Sequence, residues 1–99
     1  MTLARIACVC GDAGGASAMT PVLTELMKAQ RTEVCAFAYL HARQVWTHAH
    51  IPFQALDDSL DTATLCAVVG LADAQLLLVG TSVNAQNYER QLIASARRQ

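Results

Sequence analysis

The chain has 99 residues, a formal net charge of −1, 54% hydrophobic residues and 15% charged ones. That is one small domain at most, and the missing basic excess argues against a dedicated nucleic-acid binder. No apolar run reaches the roughly 18 residues that a membrane-spanning helix needs.

The N-terminal "MTLARIACVC" lacks a cleavage-site pattern and reads as a strand rather than a signal peptide, so the expected location is cytoplasmic. Residues 4–10, "ARIACVC", form the first predicted strand. Residues 17–29 carry Met19, Val22, Leu23, Leu26 and Met27 at helical spacing. Their helix starts either at Ser17 or with Thr20 as cap and Pro21 in the first helical position. A second strand follows at 33–39, then a short helix or irregular segment at 40–49. A weaker third strand at 51–56 has Pro52 near its start. Asp57, Asp58 and Asp61 belong to a turn and supply cap candidates. A helix over 62–72 has Gly70 near its end. "AQLLLVG", 74–80, is the strongest strand signal, with no alternation in Leu76–Val79, as expected where both faces are covered. A last helix spans 85–98, capped by Asn84 or Asn87.

Strands that alternate with helices imply parallel βαβ units. The expected fold is α/β: a three-layer Rossmann-like domain over 1–99, with about four parallel strands in the order 3-2-1-4. In such a sheet ligands bind beyond the carboxyl ends of the strands, where the strand order reverses. Here that point lies between the loops after strands one and four, "GDAGGAS" and "GTSVN". These are also the loops richest in Gly, Ser, Thr and Asn. The candidate ligand-binding residues are therefore Gly11, Asp12, Gly14, Gly15, Ser17, Thr81, Ser82 and Asn84.

Gly11 ends the strand where the backbone must turn, and Gly14 and Gly15 allow positive φ or close approach of a ligand. The following helix offers N–H groups and a positive dipole end. Without a ligand, the same glycines make a tight strand-to-helix connection. Asp12 either holds a ligand hydroxyl, acts as a base, or makes an Asx-turn with its own backbone. G-x-x-x-x-G-K-[ST] is absent, G-x-G-x-x-G is absent, and no acid closes strand two, which disfavours a P-loop ATPase and a dinucleotide cofactor. No cofactor is expected.

Cys8 and Cys10 share a face of strand one, at neither a zinc spacing nor a C-x-x-C spacing. With Cys35 and Cys66 they read as buried structural thiols. His41, His48 and His50 lack a third ligand at metal spacing, so no metal is expected. Trp46 reads as a partial core anchor. Ser17 and Ser82 have no adjacent base in sequence, and the catalytic residues are unknown at this stage.

Two stretches, "GDAGGASAMTPVLTEL" and "LLLVGTSVNAQNYERQLIASARR", resemble the N-terminal Rossmann-like domain of GT-B glycosyltransferases and of UDP-N-acetylglucosamine 2-epimerase-like proteins. Residues 33–73 match that family only in element order. The resemblance implies an interdomain cleft lined by Gly11, Gly14, Gly15, Ser17, Thr81 and Ser82. It also implies a nucleotide sugar or sugar acceptor as ligand, and a second Rossmann-like domain that this sequence does not contain. The expectation is an N-terminal half-domain, inactive as an isolated chain, that self-associates or awaits a C-terminal domain. The alternative is a non-catalytic association or regulatory module whose glycine loop is purely structural.

Overall fold

A computed structural model describes residues 4–80 and 87–98. Its elements alternate: β1 (Ala4–Cys10), α1 (Ala13–Lys28), β2 (Thr32–Ala38), α2 (Ala42–His48), β3 (Gln54–Ala55), α3 (Thr62–Val69), β4 (Leu76–Val79) and α4 (Tyr88–Ala96). The four strands form one sheet in the order β3-β2-β1-β4, and every pairing is parallel. The expected Rossmann-like α/β layout is the one found.

The pleat explains the near-continuous apolar runs. Successive side chains leave a strand on opposite faces, and here both faces are covered. Ala7 and Val9 of β1, Phe37 of β2 and the β4 residues Leu77 and Val79 pack with Leu65 and Val69 of α3 and Tyr88 and Leu92 of α4. Cys8 and Cys10 of β1, Ala36 and Ala38 of β2 and Leu78 of β4 pack with Ala16 and Leu23 of α1 and Ala42 and Trp46 of α2. Cys8 and Cys10 are buried, whereas Cys35 and Cys66 are half-buried. Trp46 is more than a partial anchor: it is fully buried.

Four expectations need correction. Helix α1 begins at Ala13, not at Ser17 or Pro21. Asp12 has extended backbone angles (φ −89°, ψ 146°), and its carbonyl accepts the first helical bond from Ala16 N at 3.0 Å. The chain is therefore helical before the Thr-Pro signal is reached. Pro21 sits in the helix interior, where it has no N–H to give the Ser17 carbonyl. Ser17 and Pro21 are both exposed, so water can serve that carbonyl.

Secondly, Gly14 and Gly15 belong to the first turn of α1 and do not adopt positive φ; the described glycine that does is Gly70 (φ 71°). Gly70 ends α3 in the left-handed conformation, bonding the carbonyls of Cys66 and Ala67, and Leu71–Asp73 continues as a 3-10 turn. Thirdly, the third strand shrinks from six residues to two. Ile51 N–H is taken by the Trp46 carbonyl at the end of α2, and Pro52 has no N–H to offer a ladder. Fourthly, β4 is packed on both faces but only in part: Leu76 is 49% exposed, and Leu77, Leu78 and Val79 are half-buried. The strand lies at the sheet edge beside β1.

Candidate functional site

The chain runs from β1 outward through β2 to β3, then returns to place β4 on the other side of β1. The strand order therefore reverses between β1 and β4, at the carboxyl edge. Three contacts hold the turn from β1 into α1 at that point.

The first contact explains Gly11. A Cβ there would lie 2.3 Å from Tyr39 Cζ and 2.7 Å from its hydroxyl. Tyr39 is fully buried at the end of β2, so its ring lies directly on a residue that must lack a side chain. The second explains Gly80. A Cβ on Gly80 would sit 3.1 Å from Cys10 Sγ and 3.3 Å from Gly15 Cα. The end of β4 thus passes close against the first turn of α1. The third contact is from Trp46, whose indole N–H donates to the Ala16 carbonyl at 3.1 Å and pins that turn to α2.

Gly14 differs from these. It is exposed, and a Cβ built on it would meet nothing within 4 Å. Packing does not require a glycine there, and φ does not require one either. The N–H groups of Ala13, Gly14 and Gly15 open the helix, where geometry supplies no intrahelical acceptor. Asp12 occupies the N-cap position and is half-buried; its side chain does not cap the helix. Ser17 is exposed at the start of the second turn. Thr81, Ser82 and Asn84 lie outside the described residues. The α4 cap is Asn87, whose Oδ1 accepts from Arg90 N at 3.0 Å.

The residue that sequence reasoning missed is Glu89. It stands in the first turn of α4, is 2% exposed, and is the one buried charged side chain among the described residues. One carboxylate oxygen accepts from Gly11 N at 3.2 Å. The other accepts a short bond from the Tyr39 hydroxyl. The Tyr39 oxygen in turn accepts from Tyr88 N at 3.2 Å, and the Tyr39 and Tyr88 rings pack with centroids 4.5 Å apart. Tyr88 reaches on to the segment after β3: its hydroxyl donates to the Asp57 carbonyl at 2.6 Å and accepts from Leu60 N at 2.8 Å. The first turn of α4 thereby ties together the carboxyl ends of β1, β2 and β3. An acid in the first turn of a helix ordinarily complements the dipole from the surface. That ordinary role is why "NYERQL" gives no hint of burial.

Electrostatics at the end of β1 separate the two thiols. Cys8 is pushed far above the usual thiol range by its hydrogen bond to Cys10 and by burial. The same bond, helped by the Gly80 backbone, lowers Cys10 against burial and the charge of Glu89. Among the described residues no group of three His, Cys, Asp or Glu side chains is placed to hold a metal ion. No helix among them is long and apolar enough to cross a membrane.

No family model matches the chain, and neither a curated protein nor a solved structure matches it. The class that the geometry defines is the Rossmann-like α/β domain with its strand-order reversal beside a glycine-bearing helix start.

Proposed function

We propose that the chain is the N-terminal Rossmann-like half of a nucleotide-sugar-processing or glycosyltransferase-like protein. Its ligand surface lies at the carboxyl edge, along the turn from β1 into α1. The observation that carries this reading is Gly14. Gly11 and Gly80 have packing reasons and Gly70 a conformational one, whereas Gly14 faces open space where the strand order reverses. A glycine in a helix is less favourable than alanine by up to about 1 kcal/mol. A bare backbone that lets a ligand approach accounts for it. First-turn N–H groups without an intrahelical acceptor suit a phosphate or sugar hydroxyl.

The test is Gly14→Val, titrated calorimetrically with UDP-N-acetylglucosamine beside chemical denaturation of the same protein. A valine fits the open space, so stability changes by no more than about 0.5 kcal/mol, while binding is lost. Unchanged binding contradicts the ligand role, and an equal loss of stability and binding assigns the glycine to the turn itself.

One observation favours a second reading, a non-catalytic association module. The outer edge of β4 has no partner strand among the described residues, and Leu76 is half exposed there. An apolar edge is a template for another chain.

A further inference from the structure

We propose that Glu89 is the positioning residue of the carboxyl-edge site, fixing where the turn from β1 into α1 presents its backbone. A carboxylate taken out of water needs compensation, and Glu89 makes no ion pair among the described residues. Its partners are two neutral donors, the Gly11 amide and the Tyr39 hydroxyl, together with the positive end of α4 on which it sits. Tying α4 to the sheet does not require this. Leu92 and Tyr88 already do so within the apolar core, and apolar side chains of similar volume commonly replace buried charges without loss.

What the carboxylate adds is direction. A carboxylate acceptor makes a stronger bond to a backbone N–H than a neutral acceptor does. Here that N–H belongs to the residue immediately before Asp12 and the first turn of α1. The Gly11 carbonyl is held as well, by Ala42 N at 3.0 Å. Gly11 is thus clamped on both sides of its peptide plane system, by α4 through Glu89 and by α2 through Ala42. The clamp also spends the Gly11 donor internally, so a ligand meets Ala13, Gly14 and Gly15 rather than Gly11. Glu89 acts through Gly11 and, at 2% exposure, does not itself reach a ligand.

Glu89→Gln keeps the shape and removes the charge. Amide hydrogen exchange in the unliganded protein is the primary measurement. Loss of a charge-assisted bond corresponds to a factor of about ten or more. The Gly11 amide and those of the first α1 turn therefore exchange about tenfold faster, while Cys8 in the middle of β1 keeps its protection. Uniform acceleration across Gly11 and Cys8 means a merely structural role and overturns the proposal, as does unchanged exchange at Gly11. Should Glu89→Gln fail to fold, Glu89→Met removes the acceptor of the Gly11 amide and keeps an apolar side chain of similar length. It accelerates Gly11 exchange while sparing Cys8, and no acceleration overturns the proposal equally. A second arm, the affinity for UDP-N-acetylglucosamine, rests on the proposed function and falls about tenfold in Glu89→Gln. Wild-type protein that ignores this probe counts against the nucleotide-sugar reading, and the exchange arm still decides the role of Glu89.

Discussion

At the scale of single residues, the glycines of "GDAGGAS" divide by what surrounds them. Their clustering and their position after β1 were legible in the sequence. Their separate surroundings were not, because the Tyr39 ring over Gly11 comes from the end of another strand, as does Gly80 beside Gly15. Gly11→Ala is expected to destabilise the fold by about 2 kcal/mol or more, the order found for overpacked cores. The added methyl would lie 2.3 Å from a ring with no free space. Urea denaturation at constant m-value measures this. A wild-type midpoint would show that Tyr39 moves aside and that the Glu89–Tyr39 network is loose. Glu89 itself was invisible in the sequence for a related reason: its burial is set by Gly11 and Tyr39, 78 and 50 residues away.

Local chemistry predicts the elements well where it is uncontested. Asp61 was readable as a cap and is one. Its Oδ1 accepts from Thr64 N at 2.7 Å, and the Thr64 backbone and hydroxyl hold its carboxyl below the ordinary value of 3.8. A depressed carboxyl stabilises the fold above its unfolded value and loses that contribution as pH falls through the folded one. The cap of α3 therefore weakens below about pH 4. Asp61→Asn keeps the acceptor and removes the titration, so thermal scans between pH 2 and 5 should show a shallower acid dependence in the variant. Identical acid profiles contradict the assignment. Helix α1 is the opposite case, since Thr20-Pro21 is a sound start signal that tertiary context overrides. Trp46 pins the Ala16 carbonyl, and Thr20 and Thr24 turn their hydroxyls onto the Ala16 and Thr20 carbonyls. A helix already running absorbs the proline on its exposed face.

For the molecule as a whole, the strand order 3-2-1-4 followed from alternation and length, and with it the location of the candidate site. That order also put β4 at an edge; the exposure of Leu76 was harder to read, because an unbroken Leu-Leu-Leu-Val run has no alternation to mark an uncovered side. Among the described residues the edge carries no charge, proline or bulge of the kind that blunts such strands. Sedimentation velocity over a concentration series is expected to show self-association, reversed by Leu76→Lys, which places a charge on the exposed residue of the edge. A monomer throughout would mean that the edge is protected, and the association reading would fall.

On the proposed function, a ligand meets bare backbone where β1 passes into α1. Amide chemical-shift mapping during titration with UDP-N-acetylglucosamine tests it most directly, in wild-type protein and in Gly14→Val. Saturable shifts concentrated on Asp12, Ala13, Gly14 and Gly15 are expected in the wild type and none in the variant. Shifts clustered at the opposite, amino edge of the sheet, or saturable shifts at the turn that survive Gly14→Val, would contradict it.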